Sequence, residues 1–205
     1  MSYSDFTLQE LKARFGLVVE EECDLFPASI EAPLPPVIAN WLSTYSDLGG
    51  MMRTEKGRSE MLVAPILAGL RTAHRDRLSL HSGIPLNVSE ADGLKGICDY
   101  IIAGCKSQIE LDAPICVLVE AKREDINGGV AQCLAEMLGA ARFNADRKHP
   151  IASVFGVVTS GLEWRFMKLT GLQANIHAKD FLINQPEKIY GILEYITLDQ
   201  QPNLN

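Results

Sequence analysis

Three charged residues on two neighbouring β-rich runs have the types and the spacing to bind a divalent cation. Asp99 lies in the run 97–103, and Glu120 and Lys122 end the run that begins at Ile115. Because strand side chains alternate between faces, Glu120 and Lys122 share one face. If the two runs form an antiparallel hairpin, Asp99 falls opposite Glu120 and joins that face. Facing carboxylates destabilise a strand pair, whereas a cation of the Mg²⁺ or Mn²⁺ type would stabilise them.

Lys122 would have a chemical role beside such a cation. An ammonium group there can orient a water, help to remove its proton, or neutralise charge that develops on a phosphate. The simpler interpretation is a solvated ion pair between Glu120 and Lys122 at the end of a strand. The buried strand before the pair, the facing aspartate and the helix that follows favour a site.

The elements that position these residues predict an α/β fold. The predicted strands are short β-rich runs and cover residues 78–82, 84–88 (as a continuation or a partner of the first), 97–103, 115–121, 154–159 and 164–169. A long helix over 130–143 separates the strands at 115–121 and 154–159, so these two strands should be parallel. The order of helices and strands predicts a central mixed β-sheet flanked by helices.

Proline, glycine and capping residues mark the remaining helices. Thr7 and Gly16 bound a short N-terminal helix, and the other helices are predicted over 37–45, 54–74 and 186–196. Pro65 lies inside the third of these four helices and should cause a kink or a break near Val63.

Composition limits the class of protein. The chain of 205 residues is 47% hydrophobic and has a formal net charge of −7, which fits one domain and argues against a protein that coats nucleic acid. No run reaches the length of a membrane span, and the N-terminus lacks the layout of a signal peptide. These features predict a cytoplasmic protein with no membrane partner, and its five cysteines are expected to be free thiols.

Several other residues have two interpretations. Two basic clusters could contact phosphates or could be solvated helix ends. The first cluster is Arg71, His74, Arg75 and Arg77, and the second is Arg142, Arg147, Lys148 and His149. Asn127-Gly-Gly129 could bind an anion at a helix N-terminus or could only permit the turn. Trp164 is expected to be a core residue rather than a platform for base stacking, and His81 is expected to be a neutral, hydrogen-bonded histidine.

The segment from Gly93 to Gln132 resembles the core of the PD-(D/E)XK nuclease superfamily, which includes restriction endonucleases, repair nucleases and Holliday-junction resolvases. The resemblance is carried by Asp99, by Val117-Leu-Val-Glu-Ala-Lys122 and by Ala131-Gln132. It extends over residues 55–170, where Thr159 to Phe166 resembles the strand-turn-strand of the restriction type. The proline that precedes the motif aspartate in the family is Cys98 here.

The resemblance implies a set of site residues. Asp99, Glu120 and the main-chain oxygen of Ala121 would bind one or two Mg²⁺ ions, with Mn²⁺ as a substitute, and Lys122 would be the motif lysine. A helical glutamate often completes such a site, and Glu60 is the residue chosen for this role, with Glu55 as the alternative. Gln132 would support the lysine or the substrate if its helix packs near the site, and would otherwise be exposed.

The resemblance also implies a fold and an activity. It predicts one domain over 1–205, with a helical N-terminal extension (1–53), a restriction-endonuclease-like core (54–170) and a C-terminal helix and tail (171–205). The implied activity is a Mg²⁺-dependent endonuclease that binds and hydrolyses DNA, in which a homodimer would supply the two sites that a double-strand cut needs. The alternative is a catalytically silent module of the same fold that binds nucleic acid or a protein, which the pI of ≈ 5.1 favours.

Overall fold

The centre of the molecule is an open, mixed sheet of eight β-strands, in the computed structural model that describes residues 1–198. The strands are β1 (Val18–Cys23), β2 (Ser79–Pro85), β3 (Ile97–Ala103), β4 (Ile115–Ala121), β5 (Val154–Thr159), β6 (Glu163–Thr170), β7 (Gln173–His177) and β8 (Phe181–Leu182). Their order across the sheet is β1-β7-β6-β5-β4-β3-β2, and β8 pairs with β6. The predicted α/β class with a mixed sheet flanked by helices is therefore confirmed.

Helices cover both faces of this sheet. They are α1 (Leu8–Phe15), α2 (Pro36–Met51), α3 (Glu55–Arg58), α4 (Ala64–Ala73), α5 (Asn127–Asp146) and α6 (Pro186–Leu198), with a 3₁₀ turn at Tyr3–Asp5. One apolar core contains side chains of α1 and α5 and the ring of Tyr3, and the other contains side chains of α2, α4 and α6. Within residues 1–198, no helix has the length and hydrophobicity needed to cross a membrane.

Strands β4 and β5 are parallel, as the crossover helix between them predicts. Helix α5 makes this crossover and packs on both strands. Strands β3 and β4 are antiparallel, with Tyr100 opposite Val119 and Ile101 opposite Leu118. Extended by one residue, this register would place Asp99 opposite Glu120, as the predicted hairpin requires.

The predicted helix over 54–74 is irregular near Val63, where a kink or a break was expected, but it runs without a gap from Glu55 to Ala73. Residues Ser59–Val63 form a π-helical turn between α3 and α4. Proline has no N–H group, so the carbonyl of Met61, four residues earlier, lacks its helical donor. The indole Nε1 of Trp41 donates to this carbonyl at 2.9 Å, which ties the turn to α2.

Three strands lie outside the predicted set. β1 is in the segment predicted to be helical, and β7 and β8 are in the segment predicted to be a helix and tail. β1 pairs in parallel with β7, so the sheet extends beyond the core predicted over 54–170, and the description of 1–53 as helical is wrong for this strand. β1 is mostly exposed, and an exposed edge strand needs no alternation of apolar residues. The tail at 199–205 lies outside the described residues.

Smaller differences concern the ends of elements. The predicted strands at 78–82 and 84–88 are one strand that ends at Pro85. Helix α2 continues to Met51 rather than Tyr45, and α5 begins at Asn127 rather than Val130.

Candidate active site

Glu120 and Lys122 lie at the end of β4, the fully buried strand between β3 and β5. The main-chain N–H of Lys122 donates to the carbonyl of Thr159 at 2.8 Å, so the contact with β5 continues one residue beyond the strand. The Lys122 ammonium donates to Glu120 Oε1 at 2.5 Å. The glutamate side chain is 4% exposed and the lysine side chain 23%. The pair is therefore partly withdrawn from water, unlike a solvated ion pair.

Asp99 approaches the same strand end from β3. Its Oδ2 atom accepts a hydrogen bond from the main-chain N–H of Ala121 at 2.8 Å. The bond places the carboxylate beside the last residue of β4, where its charge acts on Glu120. Asp99, Glu120, Ala121 and Lys122, predicted from sequence to form one site, are thus brought together at one edge of the sheet.

Gln132 joins this group from the second turn of α5. Its Oε1 atom accepts a hydrogen bond from the Lys122 ammonium at 3.1 Å, and its Nε2 atom donates to Glu136 Oε1 at 3.1 Å. Of the two interpretations left open by the sequence, the structure gives the contact with the lysine.

Glu136 is a member of this group that was not predicted from sequence. It is fully buried on α5, and its carboxyl group is within hydrogen-bonding reach of Glu120. A signal was present, because Glu136 is an acidic residue inside the otherwise apolar run 133–138 and follows Gln132 by one helical turn.

Gly129 determines how closely α5 approaches the lysine. A Cβ atom at this position would lie 2.6 Å from Val158 Cγ1 and 3.1 Å from two carbons of the Lys122 side chain. Only glycine leaves room for this contact without movement of its neighbours. The Lys122 stem therefore runs against the first turn of α5.

The start of α5 is occupied by protein groups. Asp125 Oδ1 accepts a hydrogen bond from the Asn127 main chain at 2.9 Å, and Asn127 Oδ1 accepts one from Arg165 Nη1 at 2.6 Å. A carboxylate at a helix N-terminus stabilises the helix dipole. Asn127-Gly-Gly129 thus serves the turn and the packing of Lys122.

Burial dominates the electrostatics of the two glutamates. It raises the pKa of Glu120 to about 7, and the charge of Asp99 adds to the rise, whereas Lys122 opposes it. Burial also raises the pKa of Glu136, as does the charge of Glu120. For Lys122, burial lowers the pKa, but the hydrogen bond and the charge of Glu120 outweigh it and the pKa is raised. The lysine therefore stays positively charged at neutral pH.

The oxygen donors at the site fit a hard divalent cation. Glu120 Oε2 and Glu136 Oε2 are buried without a hydrogen-bond partner, and a buried carboxylate oxygen without a partner is costly. Asp99, Glu120 and the carbonyl of Ala121 offer oxygen atoms, which Mg²⁺ prefers. Among residues 1–198, no group of three or more His, Cys, Asp or Glu side chains is arranged to hold a metal. The ligands that the protein would supply are therefore limited to these two carboxylates and this main-chain oxygen.

The two helical acids differ in their surroundings. Glu60 lies in the π-helical turn, is exposed and pairs with Lys56 at 3.8 Å, and its charge acts on the phenol of Tyr100. Glu55, at the start of α3, contributes to the raised pKa of Lys122, after the larger contribution of Glu120. Of the two, Glu55 is therefore the residue with an electrostatic link to the lysine.

The other candidates have structural contacts. Trp164 is fully buried and donates to the carbonyl of Gly161 at 3.2 Å, and buried His81 contacts Ser79 Oγ at 3.2 Å. In the basic clusters, Arg142 pairs with an aspartate and so does Arg147. The five cysteines are free, as predicted.

Compared with known proteins, the sequence matches no family model and no curated protein. The assignment of a function therefore depends on the residues and contacts described above.

Proposed function

We propose that this protein is a Mg²⁺-dependent nuclease that hydrolyses phosphodiester bonds of DNA, with Mn²⁺ as a substitute, and that it is a member of the PD-(D/E)XK superfamily. The observation that carries the proposal is the contact between Glu120, Lys122 and Gln132 beside Asp99, with one buried Glu120 oxygen left unpartnered. Such a cluster costs stability, and a metal site for phosphate chemistry gives a reason for it.

The residues have distinct roles in this mechanism. A divalent cation held by Asp99, Glu120 and the Ala121 carbonyl would offset the phosphate charge and lower the pKa of an attacking water. The water oxygen would attack phosphorus and lose its proton to solvent, the bond from phosphorus to one bridging oxygen would break, and a second water would protonate that leaving oxygen. Because Glu120 raises the pKa of Lys122, the lysine acts as a cation and hydrogen-bond donor rather than as a base. Its ammonium orients the water or neutralises charge on the phosphate in the transition state.

The proposal extends to location and assembly. The free cysteines fit a reducing compartment such as the cytoplasm. A homodimer would provide the two sites needed to cut both strands of a duplex.

Cleavage of supercoiled plasmid with Mg²⁺ or Mn²⁺ tests the activity. Lys122→Ala should lower the rate by at least about 100-fold, because it removes the positive charge beside the phosphate. Lys106→Ala, at an exposed lysine on the loop between β3 and β4, is the matched control and should cleave like the wild type. Equal cleavage by the wild type and Lys122→Ala would point to a contaminating nuclease and remove the proposal.

The net charge of −7 favours one alternative, a silent module that binds nucleic acid or a protein partner. Calorimetric titration with Mn²⁺ separates the two functions. A nuclease should show a saturable site that Asp99→Ala abolishes, whereas a binding module has no use for one.

A further inference from the structure

Glu136 is the most deeply buried acid of the site and needs an explanation. It has no exposed surface, its Oε2 atom receives no hydrogen bond from an N–H or hydroxyl group, and its carboxyl group lies within hydrogen-bonding reach of Glu120. Among residues 1–198, Gln132 is the side chain that donates to it. A buried carboxyl with this little compensation lowers stability, so packing alone does not account for a glutamate here.

The hydrogen-bond directions link Glu136 to the lysine. An ammonium group only donates, so Lys122 requires the oxygen end of the Gln132 amide. When that oxygen faces Lys122, the amide nitrogen faces away and must find an acceptor, and Glu136 Oε1 accepts it at 3.1 Å. Without an acceptor at position 136, the Gln132 amide nitrogen would lose its partner, and the bond from Lys122 alone would hold the Gln132 side chain in place.

The surroundings of Lys122 make this orientation matter. A lysine side chain has a flexible four-carbon stem, and its compact ammonium group does not fix its own position. Glu120 and Gln132 hold the ammonium from two sides, and Gly129 lets the helix backbone press against its stem. If a cation recruits Glu120, Gln132 becomes the remaining contact that fixes the ammonium.

We propose that Glu136 is a positioning residue that acts through Gln132 to hold the Lys122 ammonium in the orientation used for catalysis. The proposal rests on the proposed nuclease function for its catalytic consequence. The geometric part, that Glu136 restrains Lys122, stands by itself.

A pair of substitutions separates positioning from packing. Glu136→Met fills the buried volume but offers no comparable acceptor, whereas Glu136→Gln keeps an amide oxygen that can accept from Gln132. Single-turnover plasmid cleavage should fall about 10- to 100-fold in Glu136→Met and less than about threefold in Glu136→Gln. Both variants keep the cation ligands, but the carboxyl group of Glu136 lies within hydrogen-bonding reach of Glu120. The Mn²⁺ affinity is therefore measured for each variant, and cleavage is compared at saturating Mn²⁺.

Chemical labelling of lysines gives a readout that needs no nuclease activity. Acetic anhydride should acetylate Lys122 slowly in the wild type, relative to exposed Lys106 in the same sample, because two acceptors hold the ammonium. The Lys122 labelling rate should rise in Glu136→Met and stay low in Glu136→Gln. Gln132→Leu, which removes the link and leaves Glu136 in place, should behave like Glu136→Met and serves if that variant does not fold.

The outcomes distinguish the two proposals. Wild-type labelling of Lys122 in both Glu136→Met and Gln132→Leu would overturn the positioning role. Equal effects of Glu136→Met and Glu136→Gln would also overturn it, because the role would then be structural. If the wild type fails to cleave DNA but Lys122 labelling changes as expected, the restraint is supported and the nuclease function falls.

Discussion

The two faces of the sheet are formed by the same strands but bury different chemistry. On the face covered by α2, α4 and α6, the core is aliphatic and aromatic and includes Trp164, Phe155 and Phe166. On the face covered by α5, the apolar core also contains aromatic rings, such as Tyr3 and Phe6, but Glu120 and Glu136 are buried beside it. The first face therefore mainly stabilises the fold. The second face also buries two carboxyl groups, and their burial lowers the free energy of unfolding.

Strand β4 makes the contrast within a single element. Val117 and Val119 pack into the first core, and Leu118 packs into the second, where an apolar residue at position 120 would continue the pattern. A glutamate there is not needed for packing. Three predictions test this difference between the faces.

The largest effect is expected on the apolar face. Trp164→Ala removes a fully buried indole and should lower the free energy of unfolding by about 3–5 kcal/mol. Urea denaturation followed by circular dichroism measures the change. A loss below about 1 kcal/mol would mean that this face does not carry the stability assigned to it.

The next effect concerns pH and the buried acids, with metal removed by EDTA. Glu120 keeps its proton up to a pKa of about 7 in the folded chain, against an ordinary value of 4.5. Between these values the folded chain holds a proton that the unfolded chain has lost, so stability should fall as pH rises, by about 3 kcal/mol.

Glu120→Gln is the matched variant for this pH dependence. It has no carboxyl to ionise at position 120, so its unfolding free energy should fall less steeply between pH 5 and pH 8. Urea midpoints at several pH values give the slope. The same slope in variant and wild type would show that Glu120 is not the group that costs stability, and the contrast between the faces would lose its main support.

The smallest effect separates two adjacent glycines of α5. In Gly129→Ala the new methyl would lie 2.6 Å from Val158 and 3.1 Å from the Lys122 stem, and such overpacking should cost about 1–3 kcal/mol. In Gly128→Ala the nearest atom is 3.7 Å away, an ordinary contact. Thermal or urea denaturation of the two variants should differ accordingly, and equal stabilities would mean that α5 does not press on Lys122.

Buried strands and the charged strand end could be predicted from sequence because burial leaves a plain signal. β4 is buried along its whole length. Its residues are therefore apolar up to Val119, and the charged residues Glu120 and Lys122 mark its end. The edge strand β1 could not be predicted, because Glu20, Glu21 and Glu22 carry no alternation and the strand is defined by its pairing with β7.

The burial of Glu136 was not predicted, although its place inside the apolar run 133–138 was a signal. The periodicity of α5 reports only the stripe that faces the sheet. Its other side is covered by the N-terminal turn, where the hydroxyl of Tyr3 would lie 2.3 Å from a Cβ atom at Gly139. That contact joins residues from distant parts of the chain, and helical periodicity contains no information about it.

The bond from the Ala121 main chain to Asp99 limits how the aspartate could serve as a ligand. One carboxylate oxygen is committed to the backbone, which leaves a single oxygen free and favours monodentate binding. Mg²⁺ takes near-octahedral coordination and keeps several waters in most protein sites. With few protein ligands, solvent and phosphate oxygens would have to fill most of the coordination sphere. The protein alone would therefore bind the ion with a low but saturable affinity, and bound nucleic acid would strengthen its retention.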